Sequence, residues 1–182
     1  SLLAAANDEQ LGSMMLPEGK FYNHMPYAQI VELYDGIPDS WKVFSIERCP
    51  YRKVLSLANM QLKFKEYRGD GRSMKSKAGA IKQQLNKMIR NGKITNARNI
   101  DLYKDKHGNI RTDILRYENM KEDVDRLMKH LGISFYPKLK HFKKGLSSNN
   151  VNLHDFFTSK HIQIINELYY EEFSSLGYSM IE

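Results

Sequence analysis

The sequence predicts a mixed α/β chain, because two strand-like runs are each followed by a helix-like pattern. The apolar run of Val43, Phe44 and Ile46 has two β-branched residues, which favours a buried strand, and it leads through a turn into the apolar helix pattern of 54–62. The run at 113–117 leads in the same way into the helix pattern of 124–131. Because 182 residues suit one domain with a sizeable core, we expect both strand–helix pairs to belong to one fold.

Composition and charge limit which kinds of protein and which kinds of binding partner the chain fits. No apolar run approaches the roughly 20 residues that span a bilayer, so we expect a soluble globular protein. The net charge of +7 favours anionic partners: a nucleotide, nucleic acid, an acidic polysaccharide or a lipid surface. The single cysteine, Cys49, excludes an intrachain disulfide framework and a Cys-rich zinc site. The histidines show no metal-ligand spacing, so we expect no metal.

A helix is predicted to start at Pro26, because proline suits a first helical position. Apolar and aromatic residues between 27 and 34 recur behind it at helical spacing. His24 precedes this helix on a loop. With an ordinary pKa of about 6.5, a histidine there is able to accept a proton near neutral pH. The alternative is that His24 only caps the helix or lies in solvent.

The stretch at 43–56 combines residues that suit a phosphate. The strand stops at Arg48, Pro50 fixes a turn, and the following helix carries Ser56 in an early turn. This order predicts a guanidinium, a hydroxyl and free backbone N–H groups close together at a helix start, where anions are favoured. The alternative is a buried strand with an arginine at its exposed end and a chance serine.

Further helices and a hairpin follow. Apolar residues at helical spacing over 78–89 predict an amphipathic helix, whose basic outer face is either a lid or groove for an anionic substrate or an ordinary solvated surface. Turn residues at 106–109 between strand-like runs predict a hairpin. Thr158 is expected to cap the final helix. The residues expected on the apolar side of that helix are Ile162, Ile165, Leu168, Tyr169 and Phe173.

Two stretches resemble the PAPS-dependent sulfotransferases of the carbohydrate-type and bacterial groups. These enzymes move a sulfuryl group from 3′-phosphoadenosine 5′-phosphosulfate (PAPS) to a hydroxyl. The pattern R-x-P-Y-x-x-x-x-S at 48–56 resembles their 3′-phosphate-binding element, which implies that Arg48 and Ser56 grip the 3′-phosphate. The block RYENMKEDVDRLMKHLGI at 116–133 is similar to the family's strand ending Y-E-x-[LM], helix and L-G-I, which implies that Tyr117 lies against the adenine. By its residue type alone, this tyrosine also fits a plain core position.

A third stretch, INELYYEEFSSLGY at 165–178, resembles the family's closing helix, with Glu172 where Asp is usual. Two departures lie in the first stretch. Cys49 replaces the usual Asn or Asp, and Lys53 stands at the second Arg of the family pattern. Lysine keeps the charge and loses the forked geometry of arginine.

The resemblance implies a P-loop-NTPase-like fold, with a parallel sheet flanked by helices on both faces and the ligand at the strand ends. It implies that 1–182 form one sulfotransferase-like domain, whose first strand and 5′-phosphosulfate loop are expected upstream of Ser1. Glu118 is expected to be structural, pairing with Arg48 or with a backbone N–H.

The resemblance also assigns catalytic and binding roles. His24, which lies 24 residues before Arg48, is expected to be the base on the acceptor hydroxyl. The family has a basic segment that closes over the nucleotide before the last helix. The residues that match this segment, as candidate phosphate contacts, are Lys143, Lys144 and Gly145.

The activity expected from the resemblance is sulfuryl transfer from PAPS to a hydroxyl-bearing acceptor, a carbohydrate or another small alcohol, with PAP as the product. Two alternatives stay open: a sulfotransferase-like protein that binds nucleotide without transfer, and a basic nucleic-acid-binding module. The second lacks any RNA-binding aromatic signature or zinc spacing, so we expect no specific nucleic acid partner. The expected compartment is the cytoplasm, or the Golgi lumen for a truncated eukaryotic enzyme.

Overall fold

A computed structural model describes residues 15–16, 19–20, 24–33, 36–38, 41–65, 74–134 and 151–182. The described chain is mostly helical and has small two-stranded sheets, so the α/β class is confirmed. The candidate phosphate contacts Lys143, Lys144 and Gly145 lie outside the described residues.

The strands and helices follow one another along the chain as follows: β1 (Met15–Leu16), β2 (Gly19–Lys20), α1 (Tyr27–Leu33), β3 (Phe44–Glu47), α2 (Pro50–Lys65), α3 (Met74–Arg90), β4 (Asp113–Arg116), α4 (Met120–His130), α5 (Ser159–Leu168) and α6 (Tyr170–Leu176). Short 3-10 helices lie at Lys93–Ala97, Ile100–Tyr103, Tyr117–Asn119 and Leu153–Asp155. β1 pairs with β2 in antiparallel fashion, and β3 pairs with β4 as a small parallel sheet.

The packing divides the chain into two compact units. Unit 1 comprises Ser1–Glu47 and Asn99–Leu115, and unit 2 comprises Arg48–Arg98 and Arg116–Glu182. Each unit has residues from both halves of the chain. The expectation of a single domain stays a prediction.

In unit 1, β3 turns a carboxylate inward and an aliphatic side chain outward. Glu47 is only 2% exposed, and its Oε2 accepts a hydrogen bond from the Tyr103 hydroxyl at 2.8 Å. Ile46 is 52% exposed. Successive side chains of a strand point to opposite faces, so burial of Glu47 turns Ile46 towards solvent. The expectation that Ile46 is buried is wrong, because a hydrogen-bonded carboxylate occupies the inner face.

The predicted hairpin of unit 1 is present in a reduced form. Lys104 and Ile110 form a single antiparallel bridge across a turn in which Gly108 has a φ of +84°. The Asp105 carboxylate accepts two backbone N–H groups of this turn, at 2.8 and 3.0 Å. The residues before the turn, Ile100–Tyr103, form a 3-10 helix instead of the expected strand.

Unit 2 has a helical core at the positions that the sequence periodicity predicts. α2 packs against α3 and α5, and the inward faces of these helices are apolar. The buried residues of α2 and α3 include Val54, Leu55, Ala58, Ile81, Leu85 and Met88, all 0% exposed.

The predicted final helix is two helices, α5 and α6. Thr158 caps α5 as expected, because its hydroxyl accepts the His161 N–H at 3.3 Å. The helix breaks at Tyr169, whose buried hydroxyl donates to the Ile94 carbonyl at 2.6 Å. Leu168 is 39% exposed, so its predicted core position is wrong. Tyr169 is the residue that turns inward at this point of the chain.

Candidate functional site

Arg48 and Tyr117 meet in unit 2, each directly after a strand of the parallel sheet. Arg48 follows β3 and Tyr117 follows β4. The guanidinium carbon of Arg48 lies 4.6 Å from the centre of the Tyr117 ring. This is a cation–π contact, which is worth about 0.5–1 kcal/mol at an exposed site. Tyr117 is 42% exposed, so it does not have the plain core position that its residue type also allowed.

Burial and charged neighbours both act on the Arg48 guanidinium. Burial lowers the pKa of the Arg48 guanidinium from its ordinary value, while the neighbouring Tyr117 and Glu118 act in the opposite direction. A second guanidinium, that of Arg52, is close enough to lower this pKa further. An anion beside two like charges relieves their repulsion. Sequence reasoning missed Arg52, although its position in the first turn of α2 was a signal.

Glu118 binds the backbone at the start of α2. Its Oε1 accepts the Cys49 N–H at 3.0 Å, and its Oε2 accepts the Tyr178 hydroxyl at 3.3 Å. The Cys49 carbonyl accepts the Lys53 N–H at 3.0 Å, so Cys49 is the residue that caps α2. A carboxylate at this end complements the helix dipole. The predicted pairing of Glu118 with a backbone N–H is confirmed.

The side chain of Cys49 occupies the next N–H groups of α2. Burial raises the pKa of the Cys49 thiol, and hydrogen bonds from the N–H groups of Arg52 and Tyr51 lower it in part. Pro50 has no N–H to offer. The predicted free N–H groups at this helix start are therefore already bonded, because the sulfur and Glu118 take the places of an external anion. Of the groups expected to bind an anion here, the N–H groups of this helix start are therefore not available to an external ligand.

Ser56 lies half-buried in the second turn of α2. At about 1.5 Å of rise per residue, it is roughly 9 Å along the helix axis from Pro50. Its hydroxyl is therefore suited to an anion that lies along the side of α2, beside Arg52, and not to one at the tip of the helix.

His24 belongs to unit 1, whereas Arg48, Ser56 and Tyr117 belong to unit 2. It is exposed in the turn before α1, with a φ of 63°. A non-glycine residue in this left-handed region costs roughly 1–2 kcal/mol. Residues that hold such a conformation are enriched at functional sites.

Lys53 and Glu172, two of the positions that depart from the sulfotransferase pattern, pair with each other. Lys53 Nζ lies 2.6 Å from Glu172 Oε2, and the two side chains are 9% and 0% exposed. The pair joins α2 to α6. Lysine reaches less far than the arginine of the pattern, and glutamate is one methylene longer than its aspartate. Relative to an Arg–Asp pair, the Lys53–Glu172 pair has one shorter and one longer side chain and the same two charges.

Arg116 fixes the backbone directly before Tyr117. Its N–H donates to Asp123 Oδ2 at 2.6 Å, and its Nη2 donates to the Leu176 carbonyl at 2.8 Å. The guanidinium carbon also lies 5.2 Å from the centre of the Tyr178 ring. These contacts tie the end of β4 to α4 and α6, so the Tyr117 position is held from several sides.

In comparisons with known proteins, no family model, curated protein or solved structure matches the chain. Within the ranges that the structure describes, no three His, Cys, Asp or Glu side chains gather as a metal site. Among the same residues, no helix is both long enough and apolar enough to cross a bilayer.

Proposed function

We propose that this chain is a PAPS-dependent sulfotransferase with a P-loop-like fold, acting on a hydroxyl of a carbohydrate or another small alcohol. The observation that carries the proposal is the 4.6 Å contact between Arg48 and the ring of Tyr117. The resemblance assigns these residues to the 3′-phosphate and the adenine of one nucleotide. A single ligand requires them to be adjacent, and the fold brings them together across 69 residues of sequence.

The Arg48 guanidinium would bind the 3′-phosphate through its forked donors, which match the geometry of a phosphate. Arg52 adds a second positive charge, and the Ser56 hydroxyl donates from the side of α2. The exposed ring of Tyr117 offers a face or its hydroxyl to the adenine. Lys143, Lys144 and Gly145 are proposed as further phosphate contacts.

The Lys53–Glu172 pair gives independent support. Two residues that depart separately from the sulfotransferase pattern, 119 positions apart, contact each other at 2.6 Å. Chance substitutions have no reason to fall on two contacting positions with opposite charge. The pair is the expected result if this chain keeps the contact between the first and third stretches of the pattern.

In the proposed reaction, the acceptor oxygen attacks the sulfur of PAPS in line with the bond to the leaving phosphate. The new S–O bond forms as the old one breaks, and PAP leaves with the bonding electron pair. His24 accepts the proton of the acceptor hydroxyl. Positioning of the two substrates and stabilisation of the charge on the leaving phosphate supply most of the rate.

Transfer of radiolabelled sulfate from PAPS to a pool of carbohydrate acceptors tests the proposal. The matched variant is His24→Asn, because asparagine tolerates the left-handed backbone of His24 and has no basic ring nitrogen. We expect label in the acceptor with the wild-type chain, and a rate roughly 10²- to 10⁴-fold lower with the variant. If the chain bound PAP but transferred no label, the proposed sulfotransferase activity would be wrong and the chain would be a nucleotide-binding protein.

A further inference from the structure

Basic residues are segregated in one part of the chain. Residues 71–100 contain eight Lys or Arg residues and no Asp or Glu, although the whole chain has 28 basic and 21 acidic residues. This segment covers α3 and the 3-10 helix Lys93–Ala97. Such a length without a carboxylate concentrates positive potential on one surface.

The fold turns part of this charge towards solvent. α3 buries its apolar face in unit 2, so its opposite face is exposed. Lys87 and Arg90 lie on the exposed face at i, i+3 spacing, and Lys93 is exposed in the turn that follows. We refer to Lys87, Arg90 and Lys93 as the cationic strip.

The three charges of the cationic strip have no carboxylate partner among the described residues. Three other cations among the described residues of unit 2 are paired: Arg98 Nη2 lies 2.8 Å from Glu171 Oε2, Lys53 is paired with Glu172, and Arg126 with Asp123. The charges of the cationic strip are thus not used in an ion pair within the described part of the fold.

Amide groups beside the strip also present donors. His161 Nδ1 accepts the Thr158 N–H at 3.3 Å, so its Nε2 carries the proton and donates to Asn86 Oδ1 at 3.0 Å. Asn91 Oδ1 accepts the Lys93 N–H at 3.2 Å. Asn86 and Asn91 are both exposed and use their oxygens within the chain, so their NH₂ groups are the donors that each amide retains.

We propose that the cationic strip and its flanking amides bind a linear sulfated polysaccharide. Sulfate and carboxylate groups only accept hydrogen bonds, and this surface mainly donates them. Residues 71–100 contain no aromatic side chain, whereas single-stranded nucleic acids are bound largely by stacking on aromatic rings. Between 77 and 90, where the side chains of α3 are described, no large apolar side chain is exposed to insert into a membrane. The inference does not rest on the proposed sulfotransferase activity.

Titration of the full chain with a fluorescent heparin octasaccharide at several salt concentrations tests this proposal. The variant K87Q/R90Q/K93Q removes the strip. The matched control K106Q/K121Q/K129Q removes three exposed lysines elsewhere and changes the net charge equally. We expect the strip variant to bind at least about tenfold more weakly and with a shallower salt dependence, and the control to stay within about twofold of wild type.

Equal losses in the two variants would overturn the proposal, because net charge alone would then explain binding. Absence of binding by the wild-type chain would also overturn it. If a DNA duplex or single strand bound more tightly than heparin and depended on the strip, the partner would be nucleic acid and the polysaccharide assignment would be wrong. PAP binding by the strip variant is expected to be unchanged, which separates this test from that of the proposed function.

Discussion

Lys53 of α2 and Glu172 of α6 form an ion pair of 2.6 Å that is almost completely withdrawn from solvent. The Lys53 ammonium also lies 5.7 Å from the centre of the buried Tyr169 ring. Removing one partner of such a pair leaves an uncompensated buried charge. We therefore expect Lys53→Met or Glu172→Gln to lower the free energy of unfolding by about 3–5 kcal/mol, measured by urea denaturation.

A double-mutant cycle at the same pair tests whether the two lengths compensate for each other. Lys53→Arg and Glu172→Asp each change the reach of one partner, so each is expected to destabilise the fold. The double variant K53R/E172D restores the matched lengths and is expected to recover at least about 1 kcal/mol of the summed losses. Strictly additive losses would show that the two residues do not depend on each other.

We expect His161 to make the stability of unit 2 dependent on pH. Burial lowers the pKa of His161 below its ordinary value, and the charges of Lys82 and Lys160 lower it further. The unfolded chain therefore binds this proton more readily than the folded chain does. The contribution of His161 is fully present above pH of about 6.5 and is lost as the pH falls towards the folded pKa.

His161→Gln is the matched control for this dependence. Glutamine at the same position keeps a side-chain acceptor for the Thr158 N–H and does not titrate. We expect urea denaturation between pH 7.5 and 5 to show a smaller loss of stability in the variant than in the wild type. An identical pH dependence in both proteins would exclude His161 as its source.

Gly177 ends α6 in a conformation that excludes a side chain for two reasons. Its φ is +66°, and a Cβ there would lie 2.8 Å from Arg116 Nη2, which is held by the Leu176 carbonyl. We expect Gly177→Ala to destabilise the chain by more than about 1 kcal/mol in thermal or urea unfolding. Gly92→Ala is the control for the cost of the left-handed backbone alone, because Gly92 has a φ of +70° and a Cβ there would have no neighbour within 4 Å. Equal losses at both sites would mean that Arg116 moves aside without cost.

Periodicity was sufficient to predict the most deeply buried positions of α2 and α3. Val54, Leu55 and Ala58 are buried as their spacing on α2 requires, and Thr158 caps α5. These features depend on short-range patterns, in which each side chain follows from the helix geometry. Strand–turn–helix order also placed Arg48 at the start of α2, where the structure has it.

The features that the sequence did not predict depend on contacts between residues that are distant in sequence. Ile46 is exposed because Glu47 bonds to Tyr103, and the final helix breaks where Tyr169 bonds to Ile94. No local pattern indicates either partner. The N–H groups at the start of α2 were expected to be free. A strand–turn–helix pattern does not indicate that a cysteine caps the helix, nor that Glu118, 69 residues away in sequence, accepts a hydrogen bond there.

Calorimetric titration with PAP and with 5′-AMP tests most directly whether Arg48 binds the 3′-phosphate of a nucleotide. The variants are Arg48→Ala and Arg126→Ala, the second removing a 71% exposed guanidinium that pairs with Asp123 within α4. Circular dichroism of each variant would verify that it is folded.

We expect the wild-type chain to bind PAP with micromolar affinity and to prefer it over 5′-AMP. Loss of Arg48 is expected to weaken PAP binding by roughly 10- to 100-fold and to remove most of the preference, because charge-assisted hydrogen bonds to the 3′-phosphate disappear. Arg126→Ala is expected to bind PAP as the wild type does. Equal affinity of the wild type for PAP and 5′-AMP, or unchanged PAP binding in a folded Arg48→Ala variant, would contradict the account.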